Sequence, residues 1–151
     1  MTEETTKNVS VPSTSRSLPI ALLRARERVM KPIRGVLNDA GVTEQQWRVL
    51  RVMQELGPSD ATEIAQAACV LMPSLTRILQ MLEGQSYCSR QSHPSDRRKM
   101  VIRITDKGRE LIDQNAPGTH TIFARLEEEF GPQKMNKLLD LLNELVETER
   151  K

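Results

Sequence analysis

The spacing of the apolar residues changes in the middle of this 151-residue chain, and that change restricts the fold more than any other feature. Before residue 84, apolar residues recur every three or four positions, which is typical of amphipathic helices. Residues 87–91 and 99–104 are predicted as short strands, and in the second Met100, Ile102 and Ile104 alternate with Lys99, Val101 and Arg103. Helical spacing returns after Thr105. The sequence therefore predicts a mainly α fold with one small β-hairpin, an α+β arrangement.

Capping residues mark where several of the predicted helices begin. Thr43 and Gln46 stand three positions apart before an apolar run, and Asp60 and Glu63 repeat this arrangement at the next helix. In such a capping box each side chain bonds a backbone N–H that has no partner inside the helix. The two boxes predict helix starts at these positions, and Thr105 is expected to cap a long helix after the hairpin.

Proline and glycine give further expectations about the helices. Pro73 suits the first position of a fourth helix, and Gly84 can close that helix in the left-handed conformation. Pro32 should bend the first helix, and Pro117-Gly118 should kink or interrupt the fifth. The predicted order is four helices, a hairpin, a long helix and a final helix.

Short helices joined by a tight turn and followed at once by a basic hairpin form a winged helix-turn-helix. A helix that reads DNA needs one side held in the core and another side of donors and acceptors, because each base pair has its own pattern in the major groove. The predicted fourth helix has an apolar side of Leu75, Ile78, Leu79 and Leu82. Its other side carries hydrogen-bonding residues, namely Ser74, Thr76, Arg77 and Gln80.

We predict DNA contacts from this polar side. Arg77 can make two hydrogen bonds to guanine, and Gln80 can pair with adenine in the same way. Ser74 and Thr76 can hold phosphates or base edges. The alternative for Arg77 is a solvated helix arginine without a DNA contact.

The hairpin tip concentrates positive charge. Arg97, Arg98 and Lys99 follow one another there, and a narrow minor groove attracts such cations. Net charge is only +2, but residues 77–109 hold eight basic and three acidic residues, whereas residues 110–151 hold five basic and nine acidic ones. This distribution indicates one region that meets a polyanion. The alternative is a charged face that is merely solvated.

The region around the hairpin resembles the wing of the MarR family of bacterial regulators. The matching residues are Leu82-Glu83, Arg90, Asp96 and Arg98 at the tip, Ile104-Thr105 and Gly108. The resemblance extends from about Ser17 to the C-terminus. It implies that Asp96 braces the wing and that Arg98 enters the minor groove. Two segments depart from the family pattern, namely Ser86-Tyr87-Cys88 after the fourth helix and Met72-Pro73 before it.

Residues 22–51, and Gln45 to Leu50 in particular, are similar to the subgroup that regulates degradation of aromatic acids such as homoprotocatechuate. The resemblance implies a repressor of a catabolic operon that a small aromatic acid releases from DNA. Arg24 or Arg28 could anchor the carboxylate of this effector with two hydrogen bonds, and Trp47 and Arg51 could complete the pocket. The alternative is a solvated arginine face with a core tryptophan.

The family also implies a homodimer that binds a palindromic operator, since two recognition helices would lie about 34 Å apart. We expect residues 1–16 to form a disordered tail, residues 17–42 and 106–151 the dimerisation helices, and residues 43–105 the DNA-binding domain. The alternative for the last helix is that it folds back on its own domain.

Several other classes of function lack support in the sequence. There is no glycine-rich phosphate loop and no nucleophile-and-base set, so we expect no enzyme, and we expect neither a metal nor a cofactor. Without an apolar stretch long enough to span a bilayer, the chain is expected in the cytoplasm. Two alternatives remain open: a winged-helix module that binds protein, and a redox-responsive regulator that uses Cys69 or Cys88.

Overall fold

The computed structural model describes residues 10–148 and has the predicted mainly α fold with one hairpin. A single 3-10 turn, Thr14–Arg16, precedes the first helix. The elements that follow are α1 (Leu18–Asp39), α2 (Glu44–Leu56), α3 (Ala61–Ala68), α4 (Met72–Gly84), β1 (Cys88–Ser92), β2 (Met100–Ile104), α5 (Asp106–Phe130) and α6 (Pro132–Glu147).

The predicted N-terminal tail lies partly outside this range, because residues 1–9 are not among the described residues. Residues 10–16 are exposed, but the turn at Thr14–Arg16 gives them more local structure than we expected. Its backbone bond, from the N–H of Arg16 to the carbonyl of Ser13, closes the turn at 2.9 Å.

The predicted helix caps form, with one partial exception. Thr43 and Gln46 exchange both bonds of the capping box, each at 3.1 Å. Thr105 accepts the N–H of Gly108 and so caps α5 as expected. At α3 the Asp60 carboxylate accepts the N–H of Glu63 at 2.8 Å, but the Glu63 carboxylate does not accept the N–H of Asp60 in return.

The end of α4 differs from the prediction. Gly84 is the last helical residue, and the left-handed conformation falls two positions later, on Ser86 with a φ of 65°. The N–H of Ser86 donates to the carbonyl of Glu83, and that of Tyr87 donates to Leu82, which is the pattern of a Schellman motif. The helix also begins one residue early, so Pro73 occupies its second position.

Neither internal proline divides its helix. Pro32 lies within the continuous α1, and Pro117 lies within the continuous α5, so the possible interruption at Pro117-Gly118 was wrong. The Cβ position of Gly118 is 3.3 Å from the side chain of Val36, which brings α5 close to α1 at this point. Whether the two prolines bend their helices stays a prediction.

One apolar core joins the helices to the hairpin. Its largest fully buried side chains are Ile33, Leu37, Leu50, Met53, Ile64, Leu75, Leu79, Leu82, Ile102, Ile112 and Val49. Leu56, the last residue of α2, is exposed. Trp47 is partly buried against this core.

The hairpin is antiparallel and pairs Cys88 with Ile104 at its base and Ser92 with Met100 near its tip. Ser59 forms a further bridge to Ile102, with backbone bonds of 3.1 and 2.8 Å, and so attaches the start of α3 to β2. Within residues 10–148 no single helix is long and apolar enough to cross a membrane; α3 and α4 reach that hydropathy together as a bent pair, and their apolar sides are buried in the core.

Replacing two glycines by alanine should separate a crowded position from an open one. A Cβ on Gly108 would lie 2.4 Å from the carbonyl oxygen of Tyr87, so Gly108→Ala should destabilise the fold by about 1–3 kcal/mol. Gly84 has no atom within 4 Å of its Cβ position and is helical, so Gly84→Ala should be neutral or slightly stabilising. Urea unfolding of both variants measures the difference in stability. Equal midpoints, or a large loss of stability in Gly84→Ala, would contradict the close approach of Gly108 to Tyr87 and the open position of Gly84.

Candidate nucleic-acid interface

One side of α4 is sealed in the core. Leu75, Ile78, Leu79 and Leu82 are all buried on that side, as the sequence predicted. The helix packs against α2, α3 and β1, so neighbours on three elements hold it in place. Its orientation, and with it the direction of the opposite side, is therefore set by the fold.

The opposite side of α4 presents most of the predicted base-reading residues to solvent. Thr76, Arg77 and Gln80 are exposed, and Ser74 is half-buried. The hydroxyl of Thr76 donates to the carbonyl of Met72 at 3.0 Å, so it remains available to DNA as an acceptor rather than as a donor. Arg77 makes no ion pair with any residue between 10 and 148.

The hairpin tip is ordered by Asp96. Its carboxylate accepts the backbone N–H of Arg98 at 3.0 Å, and its carbonyl accepts that of Lys99 at 3.1 Å. The tip is closed by a bond of 2.8 Å from the N–H of His93 to the carbonyl of Lys99. Asp96 therefore holds the backbone of the neighbouring cations, consistent with the bracing role that the family resemblance implied.

The cations at the tip are available to a ligand. Arg97, Arg98 and Lys99 are exposed, and none of them forms an ion pair with a residue in the described part of the chain. Exposed cationic side chains that are not engaged in an ion pair attract phosphates and the electronegative minor groove.

Three contacts tie the end of α4 and the turn after it to β1 and to the start of α5. Arg90 of β1 forms an ion pair with Glu83 of α4. The Thr105 hydroxyl donates to the carbonyl of Ser86 at 2.6 Å, and the Lys107 ammonium donates to that of Gln85 at 2.9 Å. The ammonium also lies 5.0 Å from the centre of the Tyr87 ring. These contacts fix the direction of the hairpin relative to α4.

The pairing of Glu83 with Arg90 was not predicted, although both residues are among those that resemble the family wing. Their opposite charges and the short distance along the chain were the available signal. What could not be seen in the sequence is the geometry of the Schellman turn, which brings β1 back beside the last turn of α4.

The four residues predicted for an effector pocket lie on two helices, Arg24 and Arg28 on α1 and Trp47 and Arg51 on α2. Arg24 donates to the Thr14 hydroxyl at 3.3 Å, and Arg51 donates to the side-chain oxygen of Gln54 at 3.1 Å. Arg28 pairs with Glu129 and lines a cavity of about 210 Å³ between α1 and α5. The other three residues do not line that cavity, and Trp47 is partly buried.

A broad apolar surface lies on the terminal helices. None of the residues of α6 is buried, and five of its apolar side chains are 40–66% exposed: Leu138, Leu139, Leu141, Leu145 and Val146. Further exposed apolar residues lie on α1 and α5, namely Leu18, Leu22, Leu23, Phe123 and Phe130. Large exposed apolar patches are rare on monomeric proteins and mark interaction sites.

Comparison with known proteins identifies the relatives of this fold. Residues 42–100 match the model of the MarR family. The homoprotocatechuate degradative operon repressor of Escherichia coli is 36% identical over 130 residues, which are 86% of this chain and 88% of that protein.

Two solved structures are also similar over nearly the whole chain. NadR in complex with 4-hydroxyphenylacetate is 37% identical, with a TM-score of 0.81 over 89% of this chain and 98% of that chain. The transcriptional repressor CouR, bound to a 23-mer DNA duplex, is 30% identical, with a TM-score of 0.76 over 91% of this chain and 99% of that chain.

These similarities confirm the fold expected from the sequence and the likeness to the homoprotocatechuate repressor. They extend well beyond residues 42–100 into the terminal helices, because each covers more than four-fifths of both chains. This chain belongs to the MarR family of winged helix-turn-helix transcriptional regulators.

Proposed function

We propose that this protein is a homodimeric repressor that binds duplex DNA at a palindromic operator and releases it when a small aromatic carboxylate binds. One observation carries the DNA-binding part of the proposal. A recognition helix sealed in the core is tied to a hairpin whose tip presents Arg97 and Arg98 without an acidic partner in residues 10–148. The relative CouR, bound to a DNA duplex, supports the same reading.

In this proposal α4 lies in the major groove and the hairpin tip reaches the adjacent minor groove. Arg77 contacts guanine and Gln80 contacts adenine, because each can make two hydrogen bonds to that base. Ser74 and Thr76 form hydrogen bonds at the edge of the groove, where the Thr76 hydroxyl serves as an acceptor. Arg97, Arg98 and Lys99 neutralise phosphates or enter the minor groove, and Asp96 positions them. Residues 43–105 form the DNA-binding domain.

The dimer is formed by residues 17–42 and 106–151. Support comes from α6, because a 16-residue helix with no buried side chain gains little from its own domain. This also argues against the alternative that α6 folds back to complete the core of a monomer. Twofold symmetry then places two recognition helices about 34 Å apart, in successive major grooves on one side of the duplex.

The effector is a hydroxylated aromatic acid. NadR holds 4-hydroxyphenylacetate in its crystal structure, and the Escherichia coli relative is named for homoprotocatechuate; both compounds are hydroxylated phenylacetates. Arg24, Arg28, Trp47 and Arg51 form the pocket, with a guanidinium holding the carboxylate. The cavity beside Arg28 does not include the other three residues, and the terminal helices around it expose apolar side chains, so in this proposal the pocket is completed at the dimer interface.

Binding of the aromatic acid in this pocket can change the position of the DNA-binding domain through α2. Arg34 of α1 donates to the carboxylate of Glu44 in α2 at 3.3 Å, so a shift of α1 is transmitted to the helix that carries Trp47 and Arg51. A small rotation of one domain against the other changes the distance between the two recognition helices. The protein acts in the cytoplasm and without catalysis.

The two other classes are less well supported. A winged-helix module that binds protein has no need of exposed tip arginines. A redox-responsive regulator needs an activated and accessible thiolate. Burial and, to a smaller extent, the charge of Glu83 raise the pKa of the Cys88 thiol to about 11, although the charge of Arg90 opposes them. Cys69 is exposed, and its thiol lies 3.8 Å from the carbonyl of Gln66.

Removing one tip cation should weaken operator binding. We expect Arg98→Ala to raise the Kd for DNA from the region upstream of its gene by about tenfold, because two charges per dimer are lost. The slope of log affinity against log salt should become shallower by about one to two units. Fluorescence anisotropy at several salt concentrations measures both. Arg16→Ala, in the turn before α1, is the matched control, because Arg16 is an exposed arginine outside the dimerisation helices and residues 43–105, and it should change neither. An unchanged affinity in Arg98→Ala near physiological salt contradicts the wing assignment.

The single tryptophan of the chain gives a direct readout of the effector pocket. Titration with 4-hydroxyphenylacetate should change the emission of Trp47 and lower the affinity for DNA. The corresponding alcohol lacks the carboxylate and should bind about 10- to 100-fold more weakly, as should the acid to Arg51→Ala. Equal binding of acid and alcohol, or a bound acid that leaves the DNA affinity unchanged, would exclude this effector chemistry.

The two cysteines should differ in reactivity. At pH 8 a thiol with a pKa of about 11 is only about 0.1% thiolate, so an alkylating reagent should label Cys69 much faster than Cys88 in the native protein. Labelling of Cys88 should rise about tenfold for each pH unit up to its pKa. Mass spectrometry of the labelled peptides measures both rates. Mild peroxide should leave DNA binding intact, and a loss that Cys69→Ser or Cys88→Ser prevents would revive the redox alternative.

A further inference from the structure

Two apolar side chains at the start of α4 neither cap the helix nor lie buried in the core. Leu71 occupies the N-cap position and is 78% exposed, and Met72 is 44% exposed. The N-cap position favours Ser, Thr, Asp or Asn, whose side chains accept a backbone N–H. Leu71 makes no such bond, whereas Thr43, Asp60 and Thr105 do so at other helices. The choice of Leu71 therefore costs helix stability without gaining burial.

The apolar surface of the terminal helices does not account for these two residues. The main packing neighbours of α4 are α2, α3 and β1, while those of α6 and α1 include α5. Leu71 and Met72 instead stand beside the exposed, polar side of α4, one turn before Thr76 and Arg77. They share the end of the helix that, in helix-turn-helix proteins, approaches the base edges.

The major groove has one apolar feature that such residues can recognise. Thymine carries a C5-methyl group there, and the other bases present donors and acceptors. We infer that Leu71 and Met72 contact the C5-methyl groups of thymines in the operator and so help to determine its sequence. This inference rests on the proposed DNA-binding function and adds an apolar component to the polar contacts of Arg77 and Gln80.

The test compares thymine with uracil, which differs only by the absence of that methyl group. The operator is first located by footprinting and then synthesised with deoxyuridine in place of one thymidine in each half-site at a time. Removing a contacted methyl group should weaken binding about fourfold for each half-site, hence about fifteenfold for a symmetric pair. At positions without a contact the two duplexes should bind alike.

The variants locate the effect on the protein. In Leu71→Ala and Met72→Ala the ratio of the Kd for the uracil duplex to the Kd for the thymine duplex should fall toward one. This should occur at the thymine that each residue contacts. Met81→Ala is the matched control, because Met81 is also an exposed methionine on α4 but lies nine residues beyond Met72, near its other end. It should keep the full ratio.

Leu71→Ser separates recognition from folding. A serine restores a cap to α4 and should raise the Tm by about 2–4 °C, while the preference for thymine declines. Unfolding cannot cause both changes. Wild-type protein that binds every uracil duplex as tightly as the thymine duplex, or Leu71→Ser and Met72→Ala variants that keep the full preference, would overturn the inference. Wild-type protein that binds no duplex at all would overturn the proposed function, and this inference with it.

Discussion

The burial of one side of α4 is the interaction on which the rest of the structure depends. Leu75, Leu79 and Leu82 are almost wholly inaccessible, and burying each such side chain contributes about 1.5–3 kcal/mol. Rotation of the helix would expose them, so it is strongly disfavoured. Because side chains on a helix have fixed angular positions, holding this side also holds the exposed side. Arg77 and Gln80 therefore point outward as a consequence of apolar packing behind them.

The hairpin is also held in a fixed position relative to α4. Glu83 is on the last turn of α4 and its partner Arg90 is on β1, so the ion pair joins the helix to the strand. The Thr105 hydroxyl and the Lys107 ammonium bond the backbone of the intervening turn. A helix and a wing that are already aligned lose less conformational entropy when they bind a rigid duplex. The order in this junction thus favours simultaneous contact with two grooves.

Local features of the sequence were sufficient to predict the elements, but not all of the turns. The Thr43 and Thr105 caps and the alternation in β2 depend on near neighbours, and they were predicted correctly. The left-handed position after α4 was assigned to Gly84 because glycine adopts it most readily, whereas the tertiary position of β1 places it on Ser86. The effector residues named from the sequence lie on α1 and α2, and the terminal helices that would enclose them expose their apolar sides. In the proposed dimer a second copy completes the pocket, and sequence spacing cannot position that copy.

Dimethyl sulfate footprinting tests most directly whether α4 and the wing tip occupy two grooves of one duplex. The reagent methylates guanine N7 in the major groove and adenine N3 in the minor groove, so one experiment reports on both. At saturating protein we expect wild-type to protect both atoms in each half-site. Arg77→Ala should lose protection at guanine N7 alone, and Arg98→Ala at adenine N3 alone. Protection confined to one groove in the wild-type protein would contradict the claim that α4 and the wing tip occupy two grooves. So would a loss of protection in both grooves from either substitution at full occupancy.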